Sequence, residues 1–325
     1  MYWVAKPTKR AMTALLLLAA ALVSAPLRGE AADKVRVGKP EVKPFQFAPV
    51  EIGIETGIFA KNGLEVESIG FGVASRMHQA MTAHNLEFSI GSGPEMAMTA
   101  KGAPEIAVAA SYGPPNGLCV IVLPNSPIKD VTQLKGKTIG ISSPSGLTAW
   151  AAREIGRHEG WGADGVKAIS LGSQEGIVGG VLAGNIDSAV TATENAETLQ
   201  RAGRVRIVAN FGEIVPDFIA HVIFASQDIV AVNPEAVRRF LKAWFETIAF
   251  MKANKAETVR ITSKVVQITP EIAAQTYDEQ IAYFSTDGRF EPKALKVVEE
   301  TFLELGFLDK EPDMKTLYTE AFLPR

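Results

Sequence analysis

The chain has 325 residues, the length of about two domains of ordinary size. Hydrophobic residues make up 47% of the sequence and charged residues 21%, a balance that excludes a disordered chain and a protein with many membrane spans. The formal net charge of −3 disfavours nucleic-acid binding, which requires a basic surface. Cys119 is the single cysteine, so the sequence excludes an internal disulfide and a cysteine-based zinc site.

The first 32 residues have the pattern of a secretory signal peptide. Basic residues at positions 6, 9 and 10 precede an unbroken apolar run over residues 11–23, and a polar stretch follows. The run is shorter than the roughly 20 residues that a helix needs to cross a bilayer, so a permanent anchor is the weaker interpretation. No cysteine follows it, which excludes a lipid anchor. We expect cleavage near Ala31 or Ala32 and a soluble, periplasmic product.

After this leader, strand-like runs alternate with helical patterns, as in β-α-β units that build a largely parallel sheet. The predicted strands of the first set cover residues 35–38, 64–71, 87–90 and 106–110, and a strand over residues 118–123 follows. The predicted helices of this set cover residues 49–61, 75–83 and 95–101. The loop over residues 111–117 is rich in proline and glycine, and we predict that it is a hinge.

A second set of the same design begins at residue 137. Its predicted strands cover residues 137–141, 166–170, 186–190 and 206–208, and its predicted helices cover residues 147–158 and 176–183. Residues 81–90 and 181–190 repeat one pattern, in which a helix end, an asparagine turn and an acidic residue precede an apolar strand. We therefore expect two lobes of similar design, with the carboxyl ends of their strands aimed at the same side.

The remainder of the chain is predicted to be mainly helical. A strand over residues 221–225 is suited to a second crossover, and helices are predicted over residues 233–250, 270–283 and 292–305. Phe240 and Trp244 belong to an apolar stripe at helical spacing, which is typical of a helix that faces the core.

These patterns divide the mature chain into three segments. Residues 33–115 form the first part of lobe 1, residues 116–221 form lobe 2, and residues 222–325 return to lobe 1 and add the C-terminal helices. The predicted fold class is therefore α/β.

No catalytic motif is found in the sequence. The glycine patterns of dinucleotide and phosphate loops, the HExxH zinc motif and the GxSxG turn are all absent. Ser92 lies in a superficially similar turn, but the glycine spacing is wrong and no histidine is obviously placed to activate it. The four histidines are scattered, and only His221 is expected to face a ligand. We predict no catalytic residue, no metal site and no cofactor.

Small polar loops stand at several predicted strand-to-helix junctions. Residues 142–148 follow a strand and open a helix, so their hydroxyls and free backbone N–H groups are suited to a polar or anionic ligand. Ser75-Arg76 and Ser92-Gly93 stand at similar junctions. Such clusters are equally typical of ordinary helix caps. Their convergence at the carboxyl ends of strands in both lobes is what favours a ligand site.

Three segments carry a family resemblance: residues 47–67, residues 134–140 and residues 181–187. In this order, behind a signal peptide, they resemble the periplasmic solute-binding proteins of ABC importers, in the nitrate/sulfonate/taurine and thiamine-precursor subgroup. The resemblance implies a type II-like periplasmic binding protein fold. In that fold two lobes, each a mainly parallel sheet flanked by helices, are joined by two crossover strands. It also implies a ligand in the cleft and a permease that recognises lobe closure.

The resemblance also implies where the cleft loops lie. The ligand-contacting positions transferred to this chain are Gln46, Phe47, Ser75, Arg76, Ser92, Gly93, Ser145, Gly146, Thr148, Thr191, Thr193, Glu194 and Phe218. Two departures from the family pattern are His84, where relatives often carry glycine, and Glu87, where aspartate is commoner.

The resemblance leaves the partner and the ligand open. The expected function is delivery of a small polar or anionic organic molecule to an ABC permease by a monomer. A periplasmic sensor is an alternative, and so is an enzyme similar to the thiamine-pyrimidine synthases, although their CCCFC segment is absent. Arg76 would suit a sulfonate or a carboxylate, whereas Glu194 would suit an amine or an N–H-rich heterocycle.

Overall fold

The computed structural model of the protein describes residues 1–3, 32–144 and 146–324. The predicted signal peptide therefore falls almost entirely outside the described residues, and so does Ser145. Among the described residues, no helix combines the length and the apolar character that a membrane span requires.

Two five-stranded sheets form the framework. The first sheet contains β1 (Asp33–Lys39), β2 (Leu64–Gly70), β3 (Phe88–Ser92), β4 (Glu105–Tyr112) and β10 (His221–Ser226), in the order β2-β1-β3-β10-β4. The second sheet contains β5 (Leu118–Val122), β6 (Thr138–Ile141), β7 (Lys167–Ser170), β8 (Ser188–Ala192) and β9 (Arg206–Asn210), in the order β7-β6-β8-β5-β9. In each sheet one strand, β10 or β5, is antiparallel to both of its neighbours.

Helices cover both sheets. Those of the first part of the chain are α1 (Ala48–Glu55), α2 (Ile58–Lys61), α3 (Ala74–Thr82) and α4 (Met96–Ala100). Those between the strands of the second sheet are α5 (Leu147–His158), α6 (Gln174–Leu182), α7 (Thr193–Arg201) and α8 (Phe211–Ile214). The C-terminal helices are α9 (Gln227–Val232), α10 (Pro234–Ala253), α11 (Lys255–Val266), α12 (Pro270–Gln280) and α13 (Pro292–Glu304).

The expected α/β class with two similar sheets and two crossovers is confirmed. The chain passes from the first sheet to the second between Tyr112 and Leu118, and it returns between Asn210 and His221. The lobe boundaries after residues 115 and 221 remain predictions from the sequence. We call the part built on the first sheet the first lobe and the part built on the second sheet the second lobe.

The long helix α10 anchors the core of the first lobe. Asn233 caps its first turn by accepting a hydrogen bond from the backbone N–H of Ala236. Phe240 and Trp244 are fully buried, as their spacing predicts. The Phe240 ring stacks on Phe88 of β3 with 4.0 Å between the ring centroids. This packing fixes α10 against the centre of the sheet and holds the end of β3 in place.

Left-handed backbone conformations mark two departures from the predicted elements. The predicted helix over residues 49–61 is divided into α1 and α2, because Gly57 has a φ of 72°. His84 has a φ of 58°, and its counterpart in the internal repeat, Gly184, has a φ of 72°. The turn after the helix therefore needs the same conformation in both lobes, and His84 adopts it at a steric cost that glycine avoids.

Candidate functional site

A cavity lies between the two sheets, at the carboxyl ends of their parallel strands. Its walls come from residues at or after the ends of β1, β2, β3, β6, β7 and β8 and from the two passages between the sheets. The space between its walls that no protein atom occupies, including the open solvent at its mouth, is about 600 Å³. The position is the one expected for a ligand site in an open α/β sheet.

Three aromatic side chains contribute to the wall of this cavity. The Phe47 and His221 rings meet edge to face with 5.0 Å between centroids, and the Tyr112 ring lies 6.0 Å from His221. Burial lowers the pKa of His221 to about 4, so its imidazole is neutral at pH 7. Nδ1 lies 3.2 Å from the carbonyl oxygen of Gly91 and is assigned the proton, which leaves Nε2 as an acceptor.

A buried carboxylate, Glu95, forms another part of the wall. Its Oε2 lies 3.0 Å from Nε2 of His78 and accepts a hydrogen bond from the backbone N–H of Ser92 at 3.2 Å. The other ring nitrogen of His78 lies 2.9 Å from Oε1 of Glu105, which is fully buried. Burial acts to lower the pKa of His78, but the hydrogen bonds with Glu105 and Glu95 raise it to about 10. The imidazole is therefore a buried cation between two carboxylates.

The second oxygen of Glu95 faces the opposite lobe. A Cβ atom placed on Gly146 would lie 3.7 Å from Oε1 of Glu95 and 3.4 Å from the side chain of Ala74. Among the described residues, Oε1 of Glu95 has no hydrogen-bond partner. The start of α5 in the second lobe thus comes close to the first lobe beside this carboxylate oxygen.

Polar side chains join the lobes directly at the edge of the cavity. Nε2 of Gln174 in the second lobe donates to Oε1 of Glu41 at 3.1 Å, and the Thr191 hydroxyl donates to Oε1 of Gln174 at 2.6 Å. Burial raises the pKa of Glu41 to about 8. The backbone N–H of Phe45 donates to Oε1 of Glu194 at 2.8 Å, and burial raises the pKa of Glu194 to about 6. The structure is therefore a closed arrangement of the two lobes.

The structure brings only some of the residues predicted from the sequence to the cavity wall. Those that line it are Gln46, Phe47, Ser92, Gly146 and Thr148. Glu194 bridges the lobes beside it. Those that are buried but do not line it are Gly93, Thr191, Thr193 and Phe218. The Phe218 ring stacks on Trp150 with 3.9 Å between the ring centroids. Ser75 is half-buried and Arg76 is exposed, and neither lines the cavity.

Thr148 makes local hydrogen bonds. Its Oγ1 accepts from the backbone N–H of Ser142 at 3.0 Å and lies 2.9 Å from the hydroxyl of the same residue. The side chain therefore ties the start of α5 to the end of β6 and shapes the loop on which Gly146 stands. Its first role is to hold the wall of the cavity in place.

Sequence reasoning missed Glu41, Glu95, Tyr112 and Gln174 as lining residues. The sequence contained a signal for Glu95, because a serine followed three residues later by a glutamate is the pattern of a capping box. In the structure, Glu95 accepts a hydrogen bond from the backbone N–H of Ser92, as this pattern predicts. Glu41 and Gln174 are 133 residues apart and meet only when the lobes close. No local pattern marks such a pair.

The described residues contain no cluster of three or more histidine, cysteine or acidic side chains suited to a metal ion. Cys119 is completely buried on β5, as predicted from its apolar strand. Burial raises the pKa of its thiol well above the ordinary value, so the thiol is unreactive in the closed structure.

Solute-binding proteins are among the known proteins of the same fold. The alkanesulfonate-binding protein SsuA from Xanthomonas axonopodis pv. citri, bound to MOPS, matches 88% of this chain and 98% of its own with a TM-score of 0.76 and 15% identity. The periplasmic nitrate-binding protein NrtA from Synechocystis PCC 6803 matches 90% of this chain and 87% of its own with a TM-score of 0.71 and 15% identity. At these identities the likeness shows the fold alone.

Sequence relatives extend the comparison. A protein of Brucella abortus strain 2308 that is named as a binding protein is 28% identical over 221 residues, 67% of each chain. Residues 44–258 match the family described as NMT1/THI5 like. This match spans about two thirds of the chain, from the segment after β1 to α11. The chain therefore belongs to the NMT1/THI5-like family and has the fold of the periplasmic solute-binding proteins.

Proposed function

We propose that the protein is an extracytoplasmic solute-binding protein that holds a small polar organic molecule between its lobes and delivers it to an ABC permease. The observation that carries this proposal is a cavity walled by both lobes and closed by side chains of each. Gln174 bonds to Glu41, and Glu194 bonds to the backbone of Phe45. A ligand in this cavity enters and leaves only when the lobes part, so ligand binding and lobe closure are one event.

Binding without turnover is part of the proposal, as is a monomeric, periplasmic mature protein. The signal-peptide pattern of residues 1–32 supports the location. The buried thiol of Cys119 and its position off the cavity wall support binding rather than thiol chemistry. The solute-binding neighbours support the transport role.

Expression of the full chain in a Gram-negative host tests this function. We expect the mature protein in the periplasmic fraction, with an N-terminus near residue 33, and a small molecule released from it on denaturation and identified by mass spectrometry. The purified protein should return this molecule unchanged after prolonged incubation. Chemical conversion would indicate an enzyme, and retention in the washed membrane fraction would refute the location.

Gln174→Ala links the retained molecule to lobe closure, because it removes the bond to Glu41. We expect this variant to retain much less of the molecule than the wild type after the same purification. Gln79→Ala, at an exposed position on α3, is the matched control and should retain as much as the wild type. Equal retention by all three proteins would place the molecule outside the cleft.

A further inference from the structure

We infer that the ligand of this cavity is an organic cation with N–H donors, such as an amidinium or a protonated amino-heterocycle, and that Glu95 receives it. This inference rests on the proposed function and names the class of molecule that the cleft takes. Of the two ligand classes that the sequence left open, it selects the N–H-rich one over the sulfonate or carboxylate, and it assigns recognition to Glu95 rather than to Glu194.

The buried charges beside the cavity do not balance. Glu105 and Glu95 lie on the two sides of His78, at 2.9 and 3.0 Å from its ring nitrogens. Both carboxyl groups are buried, with 0% and 2% of the residue exposed. One imidazolium balances only one of the two carboxylates, so the cluster has an excess of one negative charge, and Glu95 is its member on the cavity wall. A buried charge without a partner is costly, and a cationic ligand supplies the missing partner.

The cavity wall also supplies hydrogen-bond acceptors. Oε2 of Glu95 is occupied by His78 and Ser92, whereas Oε1 stands beside Gly146 across the cavity. Nε2 of the neutral His221 is also an acceptor, because Nδ1 donates to the carbonyl of Gly91. A ligand with several N–H groups matches these acceptors, and a carboxylate or a sulfonate would be repelled by Glu95.

Part of the cavity wall is aromatic. Phe47 and Tyr112 lie at 5.0 and 6.0 Å from the His221 ring and present apolar surface to the cavity. Aromatic faces attract organic cations through their negative quadrupole, most strongly in a desolvated site. Arg76, the residue that would suit an anion, is exposed and does not line the cavity.

Three probes of one shape test the inference: benzamidine as a cation, benzamide as its neutral isostere and benzoate as its anion. Acetamidine, acetamide and acetate form a smaller set in case the ring is too large. Wild-type protein is first stripped of ligand by unfolding and refolding. In calorimetric titration at pH 7 we expect it to bind an amidinium at least about tenfold more tightly than the matching amide, because the neutral amide cannot form the charge-assisted hydrogen bond. The carboxylates should bind more weakly still.

Glu95→Gln should abolish the preference for the amidinium over the amide. Because this preference is a ratio measured on one protein sample, partial unfolding of the variant does not change it. Glu105→Gln should also reduce the ratio, since the imidazolium is then left to neutralise Glu95. Glu65→Gln, at an exposed position on β2, is the matched control and should keep the wild-type ratio.

An unchanged ratio of amidinium to amide affinity in Glu95→Gln would overturn the inference. It would also be overturned if wild-type protein bound neither amidinium, or bound the carboxylates at least as tightly as the amidinium probes. If a carboxylate binds and closes the lobes, the cation inference fails and the proposed function stands. If the molecule released from the native protein is converted during incubation, the proposed function fails instead.

Discussion

Gly117 allows two parts of the cavity wall to approach closely. A Cβ atom at this position would lie 1.6 Å from Nε2 of Gln46. Gln46 is itself buried, and its amide donates to Oε1 of Gln280 at 2.5 Å, so it has little room to move. We expect Gly117→Ala to lower the free energy of unfolding by roughly 1–3 kcal/mol in urea titrations.

Gly179→Ala is the matched control for this substitution. Gly179 lies inside α6, and a Cβ atom there would meet nothing within 4 Å. Alanine in a helix interior is more favourable than glycine by roughly 0.5–1 kcal/mol, so this variant should be slightly more stable than the wild type. A similar loss of stability in both variants would show that the contact with Gln46 is not the cause.

The Thr148 hydroxyl stabilises the empty protein, because it bonds to Ser142. If Thr148 were only a ligand contact, as the sequence predicts, Thr148→Val would weaken ligand binding and leave the melting temperature nearly unchanged. The structure predicts instead that Thr148→Val lowers the free energy of unfolding by roughly 1–3 kcal/mol, since it leaves a buried N–H unpaired. Thr148→Ser keeps the hydroxyl and should lose much less. Equal melting temperatures for wild type and Thr148→Val would support the original expectation.

The residues that sequence reasoning correctly placed at the cavity lie at the carboxyl ends of strands or in the segments that follow them. Phe47, Ser92 and Gly146 are such residues, and the topology of the sheets brings them together. Arg76 was included because it stands next to such a junction. Ala74, two positions earlier on α3, lines the cavity, and two steps along a helix turn a side chain by about 200°, away from the wall.

At the scale of elements, hydrophobic periodicity predicted most strands and the long helices. α5 has the predicted bounds of residues 147–158. α11, by contrast, was not predicted, and α8 and α9 are short helices that apolar spacing does not reveal. Their existence depends on contacts between segments that are distant in sequence, and such contacts are not visible in local periodicity.

Arg153 of the second lobe contacts the end of α13. Arg153 of α5 donates from Nη1 to the carbonyl oxygen of Leu305 at 2.8 Å, and its guanidinium carbon lies 5.1 Å from the Phe307 ring centroid. The chain after α13 returns to the first sheet, where Tyr318 bridges to Ala107 of β4. Arg153 therefore connects the second lobe with a segment that is attached to the first.

We expect Arg153→Ala to destabilise the closed arrangement relative to the open one. Loss of a charged hydrogen bond should reduce the affinity for the molecule released from the native protein by about tenfold in calorimetric titration. Lys242→Ala, at an exposed position on α10, is the control and should leave the affinity unchanged. Wild-type affinity in Arg153→Ala would show that this contact persists when the lobes open.

At the scale of the whole molecule, the stability of the closed protein should depend on pH. The pKa of Glu194 is raised to about 6 and that of Glu41 to about 8, both by burial between the lobes. A carboxyl group with a raised folded-state pKa keeps its proton where the unfolded chain has lost it. The stability that this group adds to the folded protein is therefore fully present below about pH 4.3. It is lost as the pH rises through the folded-state pKa.

The free energy of unfolding, measured in urea at several pH values, should therefore decrease between pH 5 and pH 8.5. Glu41→Gln should flatten the decrease between pH 6 and pH 8.5, and Glu65→Gln, an exposed control, should keep the wild-type slope. His78, with its pKa raised to about 10, adds a decrease above pH 6.5, so the Glu41 variant should not lose the slope entirely. An identical slope in Glu41→Gln and wild type would contradict this assignment.

The central claim is that two lobes close on a ligand, and a distance across the cleft tests it most directly. Nζ of Lys43 and Oε1 of Glu175 lie 3.5 Å apart on opposite lobes, and both side chains are more than half exposed. Spin labels on Lys43→Cys and Glu175→Cys report this distance, because the buried Cys119 does not compete for label. In protein stripped of ligand we predict a long, broad distance distribution, which becomes short and narrow when the released molecule is added back. The same distribution with and without that molecule would contradict the account.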